Sequence, residues 1–491
     1  MIANSACPTP ALPFAKAGAP PKARRLARLG EAMVRHRRKI QAVQWVVVMS
    51  YMVLVIVPAF QPLPPESAHI WNNLRLLAQF AFWGIWWPGV MLATMLFGRV
   101  WCGVFCPEGT LTEWASHHGL GRPVPRWLKW SGWPFVAFTC TTIYGQLISV
   151  YEYPTAALLV LGGSSVAALV VGLIYGRGKR IWCRHLCPAS GVFGLLAKVA
   201  PVHFRVDRSA WDHATPAAAL SVSAPVTMVR RSSAAVNCAP LIDIRRMNSA
   251  SECHACGRCA GHRGAVELAA RTPWQEIVAP QTRASTSEAL TLIFGVLGIA
   301  SAAFQWPVSP WFIKTKLLIA GVLIDGEHFL LLGDDAPWWL LTHYPAANDV
   351  FTWLDGLLVI GYITGVGAVL GGLVWAALAL AVRCLKTSEA GERLSWQRLS
   401  LALVPLAGTS IFIGLTMLTT SQLKAEGITL SWLTDLRATL LAGGLLASAV
   451  VGLRLIMNNG GARLNHLVAA VLFLSSLAVI GGNWYQVFFV W

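Results

Sequence analysis

The chain has 491 residues, of which 55% are hydrophobic and only 12% charged, with a mean hydropathy of +0.56. Globular domains carry about 25% charged residues, so this composition excludes an ordinary soluble protein and points to an integral membrane protein. The formal net charge of +17 does not indicate nucleic acid, because the Lys and Arg residues cluster beside apolar runs, as the positive-inside rule describes.

Residues 1–39 are Ala/Pro-rich and then basic, with Lys22, Arg24, Arg25, Arg28, Arg35, Arg37, Arg38 and Lys39, and read as a cytoplasmic N-terminal tail. The apolar run that follows, Gln41 to Phe60, leads into Gln-Pro-Leu-Pro-Pro and lacks the small-residue cleavage site of a secretory signal. It reads as an uncleaved first span. Leu77 to Phe97 returns to Cys102, Trp130 to Val150 goes out, and Thr155 to Tyr175 comes back to Cys183.

Residues 40–200 thus form a membrane domain with an internal repeat. Arg99-Val-Trp-Cys-Gly-Val-Phe-Cys-Pro107 aligns without a gap to Arg180-Ile-Trp-Cys-Arg-His-Leu-Cys-Pro188. In each copy Cys-x3-Cys sets two sulfurs about one helical turn apart, and the proline interrupts the local ladder so that the chain can curve around a ligand. Cys102, Cys106, Cys183 and Cys187 together supply four thiolates, enough for an iron-sulfur site at the membrane surface. Redox dithiols or packing cysteines are the alternatives.

Residues 201–285 are polar and form the only sizeable soluble stretch, too small for a large core, so a bound group is expected to organise it. It contains Cys253-x2-Cys256-x2-Cys259, the spacing of bacterial ferredoxins, in which a fourth cysteine comes from a distance. Cys238 stands where that ligand belongs. The partners of a second motif are missing: Met228, Arg231 and Ala234 replace the upstream three, and Arg263 replaces the downstream fourth. One [4Fe-4S] site on Cys238, Cys253, Cys256 and Cys259 is expected, with structural zinc as the alternative. Eight of the 11 cysteines fall into these two sets of four, leaving Cys7, Cys140 and Cys384 single. Such grouping argues for reduced thiols in the cytoplasm and against a disulfide framework.

Residues 286–491 form a second membrane domain, with runs at Leu290–Phe304, Leu357–Val382, Leu399–Thr420, Thr439–Met457 and Leu467–Val490. Basic residues Arg383, Lys386, Arg393 and Arg398 set the loop after Val382 on the cytoplasmic side. Trp311 to Leu332 then cannot be a simple crossing and reads as re-entrant or surface-lying. It carries Asp325, Glu327 and His328, followed by His343, a candidate external quinone or metal pocket against a plainer reading as a solvated acidic loop. His466 reads as interfacial rather than a haem ligand. There is no Cys-x2-Cys-His for c-type haem, and no Walker or dinucleotide glycine fingerprint.

The membrane hairpins, the paired Trp-Cys-x3-Cys-Pro motifs and the ferredoxin stretch resemble the NosR/NapH-type membrane ferredoxins. The tract Cys238…Ile242-Asp243-Ile244-Arg245…Glu252-Cys253 is similar to that of CcoG-type cytochrome oxidase accessory proteins. The resemblance covers about Met91 to Leu268. It departs from those groups in lacking a second ferredoxin cluster, a preceding flavin domain as in the NosR type, and the soluble β-domain of the CcoG type.

The expectation is therefore an all-α polytopic membrane protein of nine or ten spans with a small cytoplasmic ferredoxin-like segment, in a bacterial-type inner membrane with N-terminus and cysteine motifs cytoplasmic. It would carry electrons between a quinone pool or cytoplasmic donor and a membrane or periplasmic redox partner, as an oxidoreductase component without its own substrate site. A metal reductase in metallocentre assembly, as the CcoG resemblance implies, a redox-sensing regulator and a zinc-stapled transporter are the competing readings. Transport is disfavoured because the distinctive residues are thiols rather than intramembrane polar sites.

Overall fold

The computed structural model describes residues 21–65, 67–213, 236–280, 282, 284–385, 394–460 and 462–491. Among them, eight helices are long and apolar enough to cross a membrane: Arg37–Phe60, Leu74–Phe97, Pro154–Ile174, Thr286–Gln305, Trp353–Cys384, Trp396–Ala425, Leu433–Met457 and Arg463–Val490. The shortest, with 20 residues, reaches roughly 30 Å at 1.5 Å per residue, the thickness of the hydrocarbon layer.

A ninth leg follows from connectivity. Leu120 N–H donates to the carbonyl of Leu173 and Arg122 N–H to that of Ile174, which puts this loop at the end where both cysteine motifs lie. Thr342 N–H donates to the carbonyl of Leu147, and Gln79 to that of Tyr151, at the opposite end. The helix between, Trp133–Leu147, must join the two ends although it has only 15 residues. It is shorter than the expected Trp130–Val150 because Ser149, at φ 51°, and the bond from Val150 N–H to the Gly145 carbonyl close the chain into a turn. With the eight long helices it gives nine candidate crossings among the described residues.

Helix Pro310–Asp325 makes none. It leaves the bundle at Ser309, and Gly333 beyond it accepts from Trp353 N–H at the start of the next span, so it begins and ends at one side. Its Leu317, Leu318 and Val322 are exposed, which suits a helix lying against lipid.

Burial sorts the spans. The apolar windows of Thr286–Gln305 and Trp396–Ala425 are 72% and 67% buried, against 17% for Pro154–Ile174, so those two form the centre of the bundle. Thr286–Gln305 meets Trp353–Cys384 backbone to backbone, since a β-carbon on Gly298 would lie 2.6 Å from the Gly367 carbonyl oxygen.

The polar stretch folds as a cap on the cysteine-bearing end. Val202–Val206 pairs antiparallel with Val266–Ala270, in the register Phe204 to Leu268. Phe204, Ile244, Met247, Val266 and Leu268 make a small core that also takes Leu26 and Met33. Those two residues belong to helix Pro21–Arg35, so the basic N-terminal stretch is packed onto the cap instead of trailing as a tail, with Arg25, Arg28 and Arg35 facing outward. Arg271 fastens the cap: it is paired with Glu276, and its guanidinium donates to the carbonyls of Ala197, Lys198 and Ala200 at 2.8–3.0 Å. Buried Lys198 adds ion pairs to Glu276 and Glu288.

Candidate metal centres

Each membrane motif places its cysteines by the same local device. Cys106 precedes helix Pro107–His118 and Cys187 precedes Pro188–Ala197, each with proline as the first helical residue, where its missing N–H costs nothing. The turns Trp101–Phe105 and Ile181–His185 carry Cys102 and Cys183. The four side chains come together: Cys106 interacts electrostatically with Cys102 and Cys183, and Cys187 with the other three. Gly109 N–H points at Cys106 Sγ, 3.4 Å away.

This set packs against the helices of the bundle as well as against the cap. Glu108, two residues after Cys106, accepts from Ser164, midway along Pro154–Ile174, at 2.6 Å and from Trp182 Nε1 at 2.9 Å. The four thiols are sunk into the bundle.

Two buried arginines lock the halves together reciprocally. Arg99, three residues before Cys102, donates to Ser190, three residues after Cys187, while Ser190 donates to the Cys183 carbonyl. Arg180, three residues before Cys183, donates to the Cys102 carbonyl, and its Nη1 would lie 3.1 Å from a β-carbon on Gly109, three residues after Cys106. Each arginine therefore crosses to the other half-site. Both also hold the cap: Arg99 donates to the Ser251 carbonyl at 2.7 Å, and Arg180 N–H to the Ala239 carbonyl at 2.8 Å.

In the cap, Cys253, Cys256 and Cys259 follow a loop in which Ala255 and Gly257 have φ of 48° and 74°, the left-handed conformation that turns the chain around its own cysteines. Ala255 N–H lies 3.4 Å from Cys253 Sγ. Cys238 and these three all interact electrostatically. Burial pushes the Cys253 thiol up to about 12 and raises Cys238 and Cys259, so a positive centre would be needed to hold them as thiolates. His254 is buried, and burial together with Arg99 and Arg180 lowers its pKa, keeping it neutral. Met228, Arg231 and Ala234 lie outside the described residues. Arg263 sits exposed over the Trp211 ring, 5.2 Å from its centroid.

The two cysteine sets touch. A β-carbon on Gly103, the residue after Cys102, would lie 2.1 Å from the His254 carbonyl oxygen and 2.8 Å from the Cys256 amide nitrogen, so glycine alone allows this approach. Gln44 of the first span donates to the Gly103 carbonyl at 3.0 Å. Arg180 interacts with both Cys183 and Cys256. Glu113 binds Arg180 at 2.8 Å and Arg258 at 2.6 Å, tying the membrane half to the loop between Cys256 and Cys259. A cleft of about 460 Å³ lined by Met33, Arg37, Gln44, Gly103, Cys256 and Arg258 opens beside the contact.

Among the described residues, no three His, Cys, Asp or Glu side chains converge tightly enough to grip a single metal ion. A tetrahedral zinc would draw its sulfurs to about 3.8 Å apart, given Zn–S of about 2.3 Å. A cubane spreads its ligands more widely, and paired thiols with backbone N–H groups aimed at sulfur suit it.

The other candidates are dispersed. Asp325, Glu327 and His328 are exposed at the end of Pro310–Asp325, while His343 sits in a hairpin opposite Val350, and among the described residues they form no metal-holding group. His466 Nε2 is 2.8 Å from the Asn459 carbonyl oxygen, as an interfacial histidine would be. Sequence reasoning missed Gln44, Glu113 and Arg258. The arginines were visible in the repeat, since both copies begin with one, but their crossing was not.

Comparison with known proteins agrees with the repeat. The 4Fe-4S binding domain family matches twice, over residues 79–128 and 158–207, once around each Cys-x3-Cys-Pro motif. The methylamine utilization ferredoxin-type protein MauN of Paracoccus denitrificans (strain Pd 1222) is 26% identical over 159 residues, which are 28% of this chain and 56% of that protein. The match thus spans little more than half the length of that curated relative. No solved structure matches the chain. These likenesses support an iron-sulfur cluster and an electron-transfer role in a multi-pass membrane protein.

Proposed function

We propose that the chain is a membrane-bound electron carrier of the NosR/NapH type with two [4Fe-4S] centres. One is held by Cys102, Cys106, Cys183 and Cys187 inside the bundle, the other by Cys238, Cys253, Cys256 and Cys259 in the cap. Such a group supplies one-electron redox chemistry when bound. The observation that carries this reading is the contact of Gly103 with His254 and Cys256, which brings two complete four-thiol sets together through a single backbone crossing. Two sets built for unrelated purposes would have no need of it.

The chain's own residues do the positioning. Arg99 and Arg180 set the spacing of the half-sites, Glu113 couples Arg180 to Arg258, and the cationic groups surrounding the sets offset the negative charge of the thiolates. The exposed arginines of Pro21–Arg35 lie on the cysteine side, whereas residues 336–355 on the opposite side contain no Lys or Arg. That asymmetry favours a cytoplasmic cap, residues 21–35 with 201–213 and 236–280, in a bacterial-type inner membrane. Electrons then pass between a quinone pool or cytoplasmic donor and a membrane or periplasmic partner.

The test is an anaerobic count of iron, acid-labile sulfide and zinc on detergent-purified protein. About eight iron and eight sulfide per chain are expected from two cubanes. Stoichiometric zinc without sulfide would sink the proposal.

A further inference from the structure

Charge is distributed unevenly on the cysteine-bearing side. Within the cap, Arg205 pairs with Glu267, Arg245 with Asp212 and Arg271 with Glu276. The stretch that leads into the first span is the reverse. Arg25, Arg28, Arg35, Arg37, Arg38 and Lys39 are all exposed, and among the described residues none of the six makes an ion pair. Glu31 is the one acid between residues 25 and 39. At about 100° per residue, Arg25, Arg28 and Arg35 fall within about 80° of one another on helix Pro21–Arg35. Leu26, Gly30 and Met33 take another face and pack on the cap, so the cations form an outward stripe.

The stripe runs to the mouth of the cleft at the joint between the two cysteine sets. Arg37 lines that cleft with Gln41 and Gln44, one and two turns further along the first span, and Gly103, Cys256 and Arg258 complete its wall. At about 460 Å³ the cleft takes a side chain or two and not a protein, so a partner rests on its rim. There it lies beside Cys256 and beside the backbone crossing that joins the two sets. Two kinds of negatively charged occupant suit such a surface, lipid head groups and an acidic protein. The head-group layer is only about 5–8 Å deep on each side of a bilayer. From Arg25 to Lys39 the cations extend over about 20 Å at 1.5 Å per residue, and Arg25 and Arg28 belong to the stretch packed against Phe204 and Leu268 of the cap. Lipid phosphates reach the end beside the first span; a macromolecule covers the whole stripe.

We propose that this surface docks an acidic soluble protein carrying a one-electron redox group, which delivers its electron at Cys256. The inference deepens the electron-carrier reading by naming the kind of partner met on the cap side, and rests on that reading for its purpose. One electron passes in each encounter: the partner is oxidised, the group held by the cap thiols is reduced, and no bond or proton moves. Attraction between the unpaired cations and the partner's carboxylates raises the encounter rate and weakens with salt.

The test uses the anaerobically purified full chain in nanodiscs of phosphatidylcholine, with an acidic plant-type [2Fe-2S] ferredoxin as the probe and a basic cytochrome c as the control. Binding is read by analytical ultracentrifugation, and iron and sulfide are counted on each sample. Wild type should bind about one ferredoxin per chain and no cytochrome c at about 50 mM salt, and lose about tenfold in affinity by about 300 mM. The triple variant Arg25→Glu, Arg28→Glu, Arg35→Glu leaves the basic residues beside the first span in place to hold the topology. It should weaken ferredoxin binding at least about tenfold with iron unchanged, because reversed charges repel the probe. Arg25→Lys, Arg28→Lys, Arg35→Lys, which keeps the charge, should bind as wild type. Ferredoxin binding indifferent to salt and to the Glu variant would overturn the proposal. Full iron with no ferredoxin bound would overturn it while leaving the carrier reading intact. In nanodiscs that include phosphatidylglycerol, enrichment of that lipid by wild type and not by the Glu variant, with ferredoxin unbound, would make the stripe a lipid seat and overturn the proposal. Salt-dependent ferredoxin binding without iron would uphold the surface and sink the carrier reading.

Discussion

Gly103 approaches His254 so closely that a β-carbon on the first would stand 2.1 Å from the carbonyl oxygen of the second, nearer than any real side chain comes to a backbone oxygen. The membrane repeat and the ferredoxin loop are therefore held at a distance set by a missing methyl group. Gly103→Ala should force the cap away. Overpacking of this kind costs about 1–3 kcal/mol or more, so a lower melting temperature and a weaker magnetic interaction between the two reduced centres, read by electron paramagnetic resonance, are expected. Gly89→Ala, with open space around it, is the control and should be neutral or slightly stabilising.

Ligand assignment can be read from pairs of variants. Cys238→Ala and Cys256→Ala should each remove the same ~four iron and leave the same residual spectrum, because distant cysteines share one cubane. Cys183→Ala should remove the other ~four. If Cys238→Ala retains a full complement, the fourth ligand of the cap lies elsewhere.

The Glu113 triad makes an acid-stability prediction. Burial alone would raise its pKa, but Arg180 and Arg258 outweigh burial and hold the carboxyl at about 2, below its ordinary 4.5. A carboxyl depressed on folding contributes stability that is present above pH 4.5 and lost as pH falls towards 2. Glu113→Gln should therefore destabilise by about 3–5 kcal/mol at pH 7, where it leaves two arginines uncompensated. The difference from wild type should shrink between pH 4.5 and 2, measured by denaturant unfolding of the cap.

Orientation is open to cysteine labelling. The motif cysteines are poor reporters, since Cys102 and Cys183 are 7% and 6% exposed. Arg246 on the cap and Ala346 at the opposite end are exposed. In intact cells an impermeant thiol reagent should spare Arg246→Cys and label Ala346→Cys. The converse pattern would invert the protein in the membrane.

The apolar runs, the gapless repeat and the ferredoxin spacing were legible because each is a local pattern. The non-crossing reading of Trp311 to Leu332 came from charge parity, and helix Pro310–Asp325 is not among the helices long enough to cross. What escaped was set by contacts between distant residues. Trp133–Leu147 is shorter than its hydropathy suggested because Tyr151 and Thr342 anchor the turn after it. The packing of the Cys102 and Cys183 set against the helices was invisible because Glu108 reaches Ser164, 56 residues away, through a side chain. The packing of Leu26 and Met33 into the cap hid behind a stretch whose composition is mostly basic.

The crossing of Arg99 and Arg180 dictates a timetable. Arg99 finds Ser190 only after the second hairpin has been inserted, and finds Ser251 only once the cap has been synthesised. A growing chain halted after Cys106 thus has two thiols and no partner for its arginine, and one halted after Cys187 still lacks the Gly103 contact. If the sets are loaded with metal, loading accordingly belongs after translation has passed Cys259, so the assembly machinery would meet both halves and the cap together.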